Sequence, residues 1–190
     1  MSKRLIVCLT GMPGAGKSTV AFFLKEKGFA VVTMGDAVRE EAKRLGLEPT
    51  DVNLGKLMLK LRQDLGPSAV GHIVMQKLGR DGRSGNVVID GIRSIPEVEV
   101  LKKVGYVKLL AIHASQGTRF KHLKERGRSD APVNNNDFAG RDKRELSIGI
   151  SEAIALADET ISNNDLTLEQ LKQRACGIIK VWLEEIERNA

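Results

Sequence analysis

The sequence predicts an α/β fold of the doubly wound kind, a five-stranded parallel sheet with helices on both faces. Three observations carry that prediction: five short apolar runs rich in β-branched residues, helical periodicity in the stretches between them, and 190 residues with 42% hydrophobic content, enough for one core. Parallel strands need crossovers, and crossovers bury both faces of the sheet. No internal repeat and no linker-like composition interrupts the pattern, so residues 1–190 read as a single domain.

The first strand is "LIVCL" (5–9), and the helix Lys17–Lys27 follows it, with Val20, Phe23, Leu24 and Lys27 on one stripe and Gly28 as its stop. Between the two stands "GMPGAGKS" (11–18), which matches G-x-x-x-x-G-K-[ST] at Gly11, Gly16, Lys17 and Ser18. The order strand, loop, helix is what a P-loop requires, because unpaired N–H groups of the loop and of the helix start converge on a phosphate cluster. Gly14 and Gly16 leave room for close backbone approach, Lys17 reaches toward β/γ-phosphates, and the Ser18 hydroxyl is a ligand for Mg²⁺. The nucleotide-binding set is therefore Gly11, Met12, Pro13, Gly14, Ala15, Gly16, Lys17, Ser18 and Thr19, with ATP as donor and Mg²⁺ as its companion ion.

The second strand, "FAVVT" (29–33), leads into a helix over Asp36–Leu45 with Asp36 as its cap. Asp36 and Arg39 share one helix face, and with Gly35 they are candidates for holding a second, acceptor phosphate; Arg62 is a further candidate of the same kind. Residues 51–80 hold one or two helices, broken at "GPSA", where Pro67 suits a helix start.

The third strand, "NVVID" (86–90), ends in Asp90, and in a parallel sheet that carboxylate stands at the carboxyl edge beside the P-loop. Asp90 is the second candidate for Mg²⁺ with Ser18, while Gly91 permits a tight exit and Arg93 brings a fixed positive charge into the cleft. A helix over 96–104 precedes the fourth strand "YVKLLAI" (106–112), and helices over 118–126 and 143–157 precede the weak fifth strand "ETIS" (159–162). The last helix, 167–188, opens with Thr167 and Gln170 at capping-box spacing and carries Trp182 on its apolar stripe, a core position.

One segment breaks the rhythm. "RGRSDAPVNNNDFAGRD" (126–142) reads as a mobile loop, flanked or occupied by Arg119, Arg126, Arg128, Arg141 and Arg144. Arginines carried on a closing flap stabilise the charge spread over a phosphoryl group in transfer, so Arg126, Arg128 and Arg141 join Lys17, Asp90 and Arg93 as catalytic candidates.

Composition narrows the classes. Aromatics are 4%, so the core is aliphatic, and no apolar stretch is long enough to span a bilayer. The N-terminus lacks a signal-peptide pattern, and a cytoplasmic location is expected. Cys8 and Cys176 show no metal spacing and are expected to be buried thiols; His72, His113 and His122 show none either. The net charge of +6 is uneven: +7 over residues 1–118, +4 over 119–144 and −5 over 145–190. The excess suits an anionic ligand in a cleft; nucleic acid as a partner stays open, although no motif indicates it, and no oligomeric state is assigned. No N-K-x-D guanine-reading motif is present, and no acidic pair follows Asp90, which argues against a GTPase and against a motor ATPase.

Taken in order, "GMPGAGKS", "MGDAVRE", "VVIDGIRS", the arginine-bounded loop and "ADETISNNDLTLEQL" resemble the nucleoside monophosphate kinase group, including adenylate kinase and dephospho-coenzyme A kinase. More closely, nearly the whole chain resembles an archaeal family of P-loop kinase-like proteins related to those enzymes. The resemblance implies an acceptor-binding helical region (about 35–80) and a lid (about 127–142). It assigns the acceptor to Gly35, Asp36 and Arg39, the Asp-Gly-x-Arg element to Asp90, Gly91 and Arg93, and the lid arginines to Arg126, Arg128, Arg141 and Arg144. It also places Asn163 and Asn164 near the donor base. Two readings follow: a phosphotransferase acting on a small phosphate-bearing acceptor, or an ATP-dependent switch or assembly factor acting on a protein or RNA.

Overall fold

The computed structural model describes residues 4–80, 85–126, 132 and 134–188. Five strands, β1 (Leu5–Thr10), β2 (Ala30–Thr33), β3 (Val87–Ile92), β4 (Tyr106–His113) and β5 (Glu159–Ser162), form one sheet in the order β2-β3-β1-β4-β5. Every pairing is parallel. Successive side chains of each strand serve opposite layers, as a two-residue period requires. Ile6, Cys8, Val87, Ile89 and Leu109 pack against α2 (Met34–Arg44), α3 (Asp51–Leu65), α4 (Ala69–Arg80) and α5 (Ile95–Leu101). Leu5, Val7, Leu9, Val88, Leu110 and Ile112 pack against α1 (Lys17–Glu26) and α9 (Leu168–Arg188). The expected two-sided sheet is what the chain builds.

The local signals translate into structure with identifiable exceptions. The capping box at α9 forms as spaced, with Gln170 N–H donating to Thr167 Oγ1 (3.2 Å) and Thr167 N–H to Gln170 Oε1 (2.9 Å). Residues 51–80 split into α3 and α4 at the Gly66-Pro67 break. The cap of α2 is Thr33, not Asp36: the Asp36 N–H donates to Thr33 Oγ1 (2.9 Å), and the helix starts two residues earlier, at Met34. Trp182 lies in the core at 3% exposure. Cys8 is buried in the central strand, where desolvation pushes its thiol pKa up, whereas Cys176 is only half-buried.

The largest departure is the segment read as a loop over 126–142. Its second half is the start of α7 (Asn135–Ile148), capped by Asn134, whose side chain accepts from Asp137 N–H (2.9 Å). Asparagine favours turns and N-caps alike, so "NNND" marks a helix start that composition alone cannot separate from a loop. The helix expected over 143–157 is broken by Gly149 in the left-handed region (φ 104°), which ends α7 and starts α8 (Ile150–Ala155). The remaining helix, α6 (Gln116–Glu125), precedes this region.

Candidate active site

The P-loop closes between β1 and α1 because its glycines hold a backbone that other residues could not. Gly11 has φ 137°, and a Cβ there would lie 2.1 Å from the Ile112 carbonyl oxygen; Gly16 has φ 112°, and its Cβ would meet Asn163 Nδ2 at 2.6 Å. Side chain cannot replace hydrogen at either position. Gly16 caps α1 with no side-chain acceptor, and the first turn carries no acidic residue, so the helix presents its unpaired N–H groups and its positive end to the loop.

Lys17 Nζ donates to the carbonyls of Gly11 (2.6 Å) and Met12 (3.2 Å), propping the loop from within. Burial draws its pKa down to about 8, against the attraction of Asp90 and Glu145. Ser18 Oγ donates to Asp90 Oδ2 (2.9 Å), and Arg126 Nη2 donates to Ser18 Oγ (3.4 Å). Asp90 is 8% exposed, and among the described residues its Oδ1 is buried with no hydrogen-bond partner. A buried carboxylate oxygen without a donor, beside a hydroxyl, is a donor set that suits a hard oxygen-seeking cation such as Mg²⁺. Asp90 reaches this position because Gly91, at φ 99°, is an extra residue in β3: Leu9 pairs with Asp90 and Thr10 with Ile92.

The loop is also clamped from outside by residues whose role the sequence did not reveal. Arg119 is 5% exposed; its Nη1 donates to the Pro13 carbonyl (3.1 Å), it forms a two-point ion pair with Asp142 (2.8 and 2.6 Å), and it stacks on Phe138. His122 Nδ1 lies 3.0 Å from the Gly14 carbonyl oxygen. The two asparagines expected near the donor base both brace backbone, and Asn163 also lines the cleft in front of the loop. Asn163 is buried, with Nδ2 donating to the Ala15 carbonyl (2.9 Å), and the Asn164 amide oxygen accepts from Ser115 N–H (2.6 Å). Both amides are committed to backbone before any ligand arrives.

A cleft of about 820 Å³ opens in front of the loop. Besides P-loop residues and Thr19, its walls include Gly35, Asp36, Arg39, Asp90, Gly91, Arg93, Arg126 and Arg141. Arg39 Nη1 and Asp36 form an exposed ion pair (2.7 Å). Arg93 is held by Glu145 of α7 (2.7 Å) and donates to the Gly91 carbonyl (3.0 Å). Arg62 departs from expectation: it is not among the residues that line the cleft and is ion-paired with the fully buried Glu97 of α5, whose other oxygen accepts from Arg93 N–H (2.9 Å). Met12, Ala15 and Arg144 also stand outside the cleft lining, Arg144 lying against Gly55 of α3. Arg128 lies outside the described residues. Among the described residues no helix is long and apolar enough to cross a membrane, and no group of His, Cys, Asp and Glu is arranged to hold a metal by itself.

A protein of Pyrococcus abyssi named as a UPF0200 protein is 46% identical over 165 residues, covering 85% of this chain and 88% of its own. The chain belongs to the UPF0200 family. A second UPF0200 relative, from Hyperthermus butylicus, is 42% identical over 172 residues, covering 90% of this chain and 91% of its own. The AAA domain family matches residues 10–138 of this UPF0200 chain. Among solved structures, TT1252 from Thermus thermophilus superimposes with a TM-score of 0.63 at 19% identity over 94% of this chain and 98% of its own. Shikimate kinase from Bacteroides thetaiotaomicron does so with a TM-score of 0.61 at 16% identity, covering 93% and 98%. At those identities the likeness is one of fold, and it shows a P-loop kinase-like architecture for this UPF0200 chain.

Proposed function

We propose that this chain is an ATP-binding, Mg²⁺-dependent phosphotransferase that moves the γ-phosphoryl group to a small phosphate-bearing acceptor of the nucleoside monophosphate or dephospho-coenzyme A type. The observation that carries the reading is the pairing of Ser18 with Asp90, one Asp90 oxygen left buried and unpartnered, at the mouth of a P-loop whose cleft continues to Arg39 and Arg93. Ser18 and Asp90 would hold Mg²⁺, which supplies charge neutralisation at the β- and γ-oxygens when bound. Lys17 exchanges its loop carbonyls for phosphate oxygens, Gly11 to Thr19 cradle the triphosphate, and Arg126 and Arg141 balance charge on the group in transfer. Gly35, Asp36, Arg39 and Arg93 line the acceptor half. The acceptor region spans about residues 35–80, from α2 to α4, and the segment of about residues 127–142 serves as the lid.

A thermal-shift panel tests the reading: nucleoside monophosphates and dephospho-coenzyme A, each with and without a non-hydrolysable ATP analogue and Mg²⁺, followed by ADP release with ATP. A ligand at a hundredfold excess over its Kd stabilises the fold by about 2.7 kcal/mol, which is readable even for a slow enzyme. Stabilisation by the ATP analogue with acceptor-dependent ADP release is the expected result. Analogue binding with no response to any acceptor would leave the switch reading in its place.

A further inference from the structure

We propose that Glu145 is the positioning residue that holds Arg93 ready for the acceptor anion. The inference rests on the assignment of Arg93 to the acceptor half of the cleft and adds the group that makes that arginine usable.

Glu145 lies on α7 with 9% of its side chain exposed. Its Oε2 accepts from Arg93 Nε (2.7 Å) and its Oε1 from Arg93 Nη2 (3.3 Å), while the Gly91 carbonyl accepts from Nη1 (3.0 Å). A guanidinium has five N–H donors, so one remains on each terminal nitrogen for an incoming anion. The backbone of Arg93 is fixed as well, its N–H donating to buried Glu97, which Arg62 of α3 neutralises. The side chain thus has both its plane and its root set before a ligand enters. Orienting a free arginine in the same way consumes rotamer freedom that this arrangement has already spent.

Charge explains why the positioning group is a carboxylate. Lys17, Arg93 and Arg141 all act on Glu145; burial opposes its ionisation, yet Arg93 first, then Lys17 and Arg141, hold its carboxyl below the usual range. Arg141 stands one turn earlier on the same face of α7, and both residues line the cleft. Glu145 is therefore the counter-ion that lets three cations gather around one site in the empty protein. Without it they repel, and Arg93 loses two of the three hydrogen bonds that orient its guanidinium.

Positioning and simple electrostatics predict opposite signs. Removing a negative charge beside an anion site tightens anion binding if charge alone matters, and weakens it if orientation matters. The test is side-chain arginine NMR on the full chain, titrated with inorganic phosphate in the presence of Mg²⁺ and a non-hydrolysable ATP analogue. The Arg93 Nε–H resonance should move saturably in the wild type. In Glu145→Gln its apparent phosphate affinity should fall about tenfold, a loss within the rotamer freedom of one arginine side chain, with the Gly14 and Gly16 amide shifts unchanged. Glu145→Asp, which keeps the charge but withdraws it by one methylene, should give an intermediate loss and serves if the Gln variant does not fold. An Arg93 resonance blind to phosphate, or phosphate binding as tight or tighter in the variants, overturns the proposal. Gly14 and Gly16 amides that ignore the ATP analogue would instead overturn the nucleotide reading, which the same spectra report separately.

Discussion

The P-loop and the α2 wall of the cleft are built to different standards of rigidity. The P-loop is clamped by buried Asn163 and Arg119, by half-buried His122, and from within by Lys17. The α2 wall carries Arg39 and Asp36, which are 42% and 57% exposed and are ion-paired with one another. On the proposed function a fixed cradle suits a phosphate chain, which is the same in every nucleoside triphosphate, whereas the exposed side chains of the α2 wall can adjust to what they meet. Stability and ligand selection are thereby separated in space, and substitutions on the two sides should differ accordingly.

The strongest way to break the contrast is at Arg119. Arg119→Ala strands Asp142, 13% exposed, and frees the Pro13 carbonyl, so a loss of about 3–5 kcal/mol is expected, read as a lower urea midpoint. Lys17 comes next. Lys17→Met should remove the roughly 2.7 kcal/mol of nucleotide-linked stabilisation expected at a hundredfold excess of the ATP analogue. It also alters the pH profile of the empty protein. The folded pKa of Lys17, about 8, lies below its ordinary value of 10.5, so between those values the unfolded chain binds the extra proton and this side chain makes stability rise with pH. Cys8, with its raised pKa, contributes the opposite slope above pH 9 in both proteins, so the difference between wild type and variant isolates Lys17. If the two urea-midpoint profiles run parallel from pH 8 to 10, Lys17 is not desolvated as its surroundings indicate.

Asn163→Ala leaves the buried Ala15 carbonyl without its donor and should cost about 1–3 kcal/mol, with weaker ATP-analogue binding as the loop loosens. The smallest stability change is expected on the other wall: Arg39→Ala should lower the unfolding free energy from urea titration by less than about 0.5 kcal/mol. Its effect should instead appear in KM for the acceptor with KM for ATP unchanged. A large stability loss at Arg39, or none at Asn163, would erase the distinction between the P-loop and the α2 wall.

The same contrast tracks what could be read from the chain. The P-loop, Asp90 and the five strands announce themselves through short-range patterns: glycines at fixed spacing, β-branched runs, a carboxylate closing a strand. The clamps do not. Arg119 with Pro13, Asn163 with Ala15 and Arg62 with Glu97 join residues 35 to 148 positions apart, and no local spacing encodes such pairs. The first half of helix α7 is hidden for a different reason. The buried residues of α7 are Phe138 and the charged Glu145, so it lacks the apolar stripe by which helices are recognised. Arg119 in particular looked like one more flap arginine, because buried and exposed guanidinium groups have identical one-letter codes.

The placement of Cys8 has a practical consequence. A thiol shut inside the middle strand, with its ionisation suppressed, does not meet alkylating reagents or peroxide while the protein is folded. Cys176, half-buried on α9 and outside the cleft lining, is left as the single handle for a dye or a spin label. Native chain can be tagged at one position without prior mutagenesis, and delayed reaction of the second sulfur becomes a clock for global opening.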